Sequence, residues 1–298
     1  MNAPPRRSSC RSLTCDPVRV MRGDATYPAE LEDLRENAPP HLWMCGSAEV
    51  LSAQPRVAIV GTRRATPYGL RVTRELATAF VRAGACVVSG LATGIDSAAH
   101  RAALDAEGPT IAVLGTGLHS TFPRGSRELQ RTIAARGLLV TELEHHEHGS
   151  KWTFPKRNRI IAALARLTIV VEAPYKSGAL ITADLALELH RSVAAVPGPI
   201  DQPQSEGANR LILTGSHILT SIEDALALVG LTPALRTPRV DPEGAEGRVW
   251  AALAEGGLDM DSLCHRSGLP AAQCLAAVTK LELAGAIECA LTGEVRRR

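Results

Sequence analysis

The sequence predicts an α/β fold, a doubly wound and mostly parallel sheet with a small winged-helix domain at its C-terminal end. Three observations predict it. Short apolar runs rich in Val and Ile alternate with longer amphipathic stretches, the pattern of buried parallel strands joined by right-handed helical crossovers. Almost every run ends in a glycine-rich or polar corner, as strands do in open sheets that bind ligands at their carboxyl ends. A Pro-containing stretch then leads into a last segment of short helices.

Taken in order, residues 1–20 are polar, basic and rich in Pro, Ser and Arg, a composition too poor in apolar surface to fold. They are expected to be a disordered tail. Because Met21 follows directly, translation is expected to begin there, and an intact mass starting at Met1 would overturn that. Residues 21–55 form a short entry segment, with a helical pattern and then a Pro39-Pro40 brake. The six predicted strands are "VAIVG" (57–61), "ACVVSG" (85–90), "TIAVLG" (110–115), "LLVTE" (138–142), "LTIVVEA" (167–173) and "SVAAVPG" (192–198). Together they define a Rossmann-like domain over 56–230.

Residues 231–243 read as a linker, and 244–298 as three short helices and a hairpin, with Asp259 and Pro270 near helix starts. That order fits a winged helix. The helix after Pro270 would be its recognition helix, but Gln273, Thr279, Lys280 and Glu282 make its exposed face poorly basic. A protein contact or a weak duplex DNA contact suits it better than reading base edges.

Composition narrows the function. The chain of 298 residues is 45% apolar and 21% charged, ordinary for a soluble globular protein. No apolar run approaches the ~20 residues of a membrane span, and the basic N-terminus lacks a signal-peptide core. A cytoplasmic protein with no membrane partner is expected. The seven cysteines show no CxxC pairing, so neither a zinc site nor any other metal is expected, and the thiols are expected to be reduced. A net charge of +2 requires any polyanion site to come from local clustering. Aromatic residues make up only 3%, which leaves room for one or two stacking rings rather than many.

The corners carry the chemistry. After Gly61 come Thr62, Arg63, Arg64 and Ala65, where a dinucleotide fingerprint would keep small residues. The amides at the start of the following helix, near Thr66 or Pro67, would face an anion. Arg63 offers a planar fork to phosphate oxygens arriving from outside. In "SGLATGIDSAAH", Asp96 and His100 share one helix face. No nucleophile accompanies them, and Asp96 reads as a helix-start residue bonded to backbone amides.

"KWTFPKRNRIIAALA" is the most informative stretch. Lys151, Lys156, Arg157 and Arg159 are interleaved with Trp152 and Phe154, and Asn158 adds an amide, the mixture that single-stranded nucleic acid requires. Ser177 and Gly178 open another helix after a strand, a phosphate-friendly corner. Lys176 and Arg191 would add charge along the same rim. His145, His146 and His148 read as an exposed loop.

The collinear series "VAIVGTRRATPYG", "SGLATGIDSAAH", "AVLGTGL", "FPKRNRIIAALA", "VVEA", "SGALITADLALE", "AVPGPI" and "EGANRLI" resembles the DNA processing protein A (DprA, or Smf) family, from about Tyr27 to Gly230. The resemblance implies a homodimeric, single-stranded DNA-binding protein that helps load the RecA recombinase during natural transformation, without a catalytic reaction or cofactor. By matching motifs, its pocket falls on Gly61, Thr62, Arg63, Lys151, Phe154 and Asn158, with Arg191 as a further member. Where the family often has Tyr-Pro, this chain has Phe122-Pro123. The competing reading is a nucleotide-processing enzyme related to the lysine-decarboxylase-like proteins, which would use a "PGGxGT" string that this chain lacks. An NAD-dependent oxidoreductase suffers equally from the missing GxGxxG.

Overall fold

The computed structural model describes residues 15–232, 241–290 and 293–297, in two compact units that divide at Pro233 and Ala234. In the first, all six expected strands are present. They are β3 (Arg56–Val60), β4 (Cys86–Ser89), β5 (Thr110–Val113), β6 (Leu138–Thr141), β7 (Leu167–Val170) and β8 (Ser192–Ala195). Three strands extend the sheet beyond them. β1 (Val18–Met21) pairs antiparallel with β2 (His41–Gly46), which pairs antiparallel with β6, and β9 (His217–Ile218) lies parallel to β8. Residues 1–14 of the expected tail lie outside the described residues, and its end is not a tail, because Val18–Val20 belong to β1. Val20 is what holds it, packed in the core while its neighbours stay exposed.

The strand order is β1-β2-β6-β5-β4-β3-β7-β8-β9. The chain therefore steps outward from β3 to β6, returns through helix α4 (Thr153–Leu164) to β7 beside β3, and steps outward again. The crevice in such a sheet opens where the direction reverses. Here that is above the carboxyl ends of β3 and β7.

Helices cover both faces because the strands are apolar on both. Val57 and Ile59 point to one side, against Leu76 and Phe80 of α1 (Pro67–Arg82) and Ile95 of α2 (Ile95–Asp105). Ala58 and Val60 point to the other, against Ile160, Ile161 and Leu164 of α4 and Ala183 of α5 (Gly178–Glu188). The alternation along one strand thus assigns each helix to its layer. α3 (Arg127–Arg136) extends the first layer over β5 and β6, and α6 (Glu206–Leu213) extends the second. α7 (Ile222–Ala227) closes the α1 side.

The cysteines depart from expectation. Cys15 and Cys45 are disulfide-bonded with their Cα atoms 5.8 Å apart, which ties the segment before β1 to β2. A separation of 30 residues leaves no spacing signal, so only the strand pairing reveals it. Cys86, Cys264, Cys274 and Cys289 are free thiols. Among the described residues no helix is long and apolar enough to cross a membrane.

The second unit has its own core, built on Val249, Leu253, Leu263, Val278 and Leu281. Helices α8 (Ala245–Ala252), α9 (Met260–Ser267) and α10 (Ala271–Leu283) precede an antiparallel hairpin of β10 (Ile287–Cys289) and β11 (Val295–Arg297). Asp259 caps α9 by accepting from the Ser262 amide at 2.9 Å, and Gly268 ends it in the left-handed conformation. This is a winged helix. The exposed face of α10 presents Leu275 and Leu283 as well as polar groups, and Lys280 there is ion-paired with Glu246.

Candidate nucleic-acid interface

Four corners meet above the crevice: the turn after β3, the loops after β4 and β7, and the approach to α4. They enclose an open pocket of about 790 Å³. Gly61, Thr62, Arg63, Lys151, Phe154, Arg157, Asn158, Ser177 and Gly178 all line it. The sequence motifs therefore converge on one site, although 117 positions separate Gly61 from Gly178.

Phe154 lines it from the first turn of α4. The first turn of α4 is anchored by Ser150, whose hydroxyl accepts from the Trp152 and Thr153 amides at 3.3 Å each, and by Thr153, which donates to the Gly115 carbonyl at 2.8 Å. Pro155 is tolerated because it falls in that first turn. A Cβ at either Gly115 or Gly149 would lie 2.5 Å from the Phe154 ring, so both glycines serve to seat it. Its open side meets the Phe122 ring at 5.0 Å between centroids and the Arg63 guanidinium at 5.8 Å from the ring centre. Arg63, Arg64 and Lys151 are exposed around this half-buried ring.

The basic residues of α4 separate in the structure. Arg157 lines the floor of the pocket but is buried, donating to the Gly90 carbonyl at 2.7 Å, to the Val113 carbonyl, and to the Asn158 side-chain oxygen at 3.2 Å. Gly90 is glycine for this reason, since a Cβ would collide with the guanidinium at 2.4 Å. Burial lowers the Arg157 pKa to about 10, with Asp96 opposing the shift and Arg63 adding to it. It is a strut between β4 and β5 rather than an open phosphate fork. Arg159 leaves the pocket altogether, because its helical position turns it to a bidentate pair with Glu142 at 2.7 Å for each bond. Lys156 joins the same carboxylate at 3.2 Å. Arg191 precedes β8 at the opposite, amino end of the sheet and pairs with Asp33 at 2.6 Å. Neither Arg159 nor Arg191 belongs to the pocket as expected.

Asn158 is also engaged, donating to the Gly178 carbonyl at 3.1 Å and so joining α4 to α5. Ser177 caps α5 through the Ala179 amide at 3.3 Å. Asp96 takes the role read for it, accepting from the Gly90 and Ala92 amides at 3.2 and 3.4 Å, and burial pushes its carboxyl above the usual range. His100 is buried against the Thr110 hydroxyl at 2.7 Å, and burial lowers it to about 3. Both are held by hydrogen bonds within the fold. His145 packs against Trp43 with the rings tilted, their centres 4.0 Å apart.

One residue was invisible to sequence reading. Glu172, at the end of β7, turns its buried carboxylate onto the start of α1, accepting from the Thr66 amide at 2.9 Å and from the Thr66 hydroxyl. A helix start is an anion site, and here the protein fills it with its own anion. The helix begins at Pro67 with Thr66 as cap, as expected, but its amides do not face the pocket as a vacant phosphate cradle.

Residues 19–230 match the family model for DNA recombination-mediator protein A, and residues 233–290 match the DprA winged helix domain. The chain belongs to the DNA recombination-mediator protein A family. Within it, a putative DNA processing protein DprA of Mycobacterium tuberculosis is 41% identical over 262 residues, covering 85% of this chain and 67% of that one. The crystal structure of DprA from Streptococcus pneumoniae superposes with a TM-score of 0.68 at 40% identity, over 70% of this chain and 73% of that one. A DNA processing protein A from Helicobacter pylori, whose structure concerns its single-stranded DNA binding mode, gives a TM-score of 0.65 at 29% identity over 71% of this chain and 94% of that one.

Proposed function

We propose that this chain binds single-stranded DNA in the pocket at the β3 and β7 corners, protects the strand, and helps load the RecA recombinase on it during natural transformation. The observation that carries the reading is the half-buried Phe154 ring with Arg63 at 5.8 Å and Lys151 on the same rim. A seated ring offers any base a stacking face, and flexible cations around it meet the flanking phosphates. The H. pylori relative with its single-stranded DNA binding mode supports the same reading. The reaction is association and not chemistry. Glu172, where a nucleotide phosphate would seat, weighs against the nucleotide-processing alternative.

In this reading the protein acts as a homodimer in the cytoplasm. Exposed Ile218 supports it, because it lies in β9, an edge strand. Leu275 and Leu283 on the exposed, poorly basic face of α10 favour a protein contact over more than weak duplex binding by the winged helix.

The test is fluorescence anisotropy of labelled oligothymidylate across a salt series, with Arg63→Ala and Lys151→Ala beside wild type. Each substitution should weaken binding and lower the slope of log K against log salt by about 0.7. Variants that bind like wild type would overturn the site.

A further inference from the structure

Rings paired with cations continue along the rim of the pocket. Tyr175 stands in the turn between β7 and α5 with 52% of its surface exposed, although its side chain is large enough to favour burial. Lys176 beside it is held at a φ of 62°, an uncommon conformation for a residue other than glycine, and its ammonium lies 5.5 Å from the Tyr175 ring centre. Arg210, from α6, places its guanidinium 5.9 Å from the same ring. Two cations from separate elements thus lie over one exposed ring. Tyr175 and Lys176 also line the mouth of the pocket, next to Ser177 and Gly178.

We propose that Tyr175, Lys176 and Arg210 form a second nucleotide subsite, where the single strand leaving the pocket lays one base on the Tyr175 ring and its neighbouring phosphates meet the two cations. This rests on the pocket binding single-stranded DNA. The chemistry suits a mediator that must accept any sequence, because every base has a π face while the cations read only the backbone. On the α4 side, Lys151 at 5.0 Å from the exposed Trp152 ring repeats the arrangement.

The full-length chain is tested with oligothymidylate by anisotropy, comparing wild type, Tyr175→Ala, Tyr175→Phe and Arg63→Ala. Tyr175 is exposed, so its truncation should leave the fold intact. Tyr175→Ala should weaken binding roughly five- to 150-fold, the equivalent of one stacked base, and Tyr175→Phe should bind like wild type. Ultraviolet crosslinking to an oligonucleotide carrying 5-iodouracil should recover the peptide containing Tyr175. If Arg63→Ala weakens binding while Tyr175→Ala does not, the subsite is wrong and the pocket stands. If neither substitution weakens binding, the single-stranded DNA reading fails with it.

Discussion

Replacing Arg157 by methionine separates a strut from a ligand. The guanidinium is buried and bonded to the Gly90 and Val113 carbonyls and to Asn158, with Asp96 as its charge partner. Methionine would fill much of the volume but leave those acceptors short of a donor and Asp96 without its cation. Each buried acceptor left without its donor costs about 1 to 3 kcal/mol, so the loss is a large share of the ~5 to 15 kcal/mol that holds a domain. Urea unfolding followed by circular dichroism would measure it. The sign of the pH dependence is a second check. Asp96 already titrates above its usual value in the native state, and losing Arg157 would raise it further. A raised native pKa contributes stability below the unfolded pKa that is lost as pH rises through the native value. The deficit of Arg157→Met should therefore shrink as the solution is acidified towards the carboxylate range, and Asp96→Asn should recover part of it at neutral pH. A variant that loses under 1 kcal/mol of stability yet more than tenfold in affinity for oligothymidylate would refute the reasoning and return Arg157 to the binding surface.

Arg159→Met should cost about 3 kcal/mol, the lower end for a broken buried pair because Lys156 remains on Glu142, while folded protein keeps its affinity for single-stranded DNA. Burial would raise the Glu142 pKa, but bonds from Arg159 and Lys156 outweigh it and hold the carboxyl below its usual value. That contribution is present above the unfolded pKa and lost as pH falls through the native one, so the acid limb of a stability profile should be shallower in the variant. Arg191→Met breaks a half-exposed pair with Asp33 and should cost under about 1 kcal/mol, again with unchanged DNA affinity; a tenfold loss would restore it to the site. Glu172→Ala strips the Thr66 amide of its acceptor and should cost about 1 to 3 kcal/mol. Sulfate should then raise the urea midpoint of this variant more than that of wild type, and equal responses would show that the start of α1 is not an anion site.

The pocket was legible in the sequence wherever a residue's role follows from its neighbours in the chain. "KWTFPKRN" interleaves rings and cations locally, and "GTRR" ends a strand whose apolar run marks it as buried. Arg157 and Arg159 looked equivalent there. Two residues apart on a helix they point in different directions, and what each meets belongs to other strands: Gly90 and Val113 for one, Glu142 for the other. The glycines around them depend on distant partners in the same way. Gly90, Gly115 and Gly149 make room for Arg157 and Phe154, contacts that span up to 67 positions.

By itself the sequence determined the six central strands, the helices between them, the winged helix and the family, because alternation, apolar runs and motif order are properties of the linear chain. Only the tertiary structure decided which charges remain available to a ligand. The direction reversal between β3 and β7 brings Glu172 onto the start of α1 across 106 positions, draws Arg157 inward and leaves Arg63 and Lys151 outside. A charge is a ligand or a strut according to what lies within hydrogen-bonding reach, and that reach is set in three dimensions.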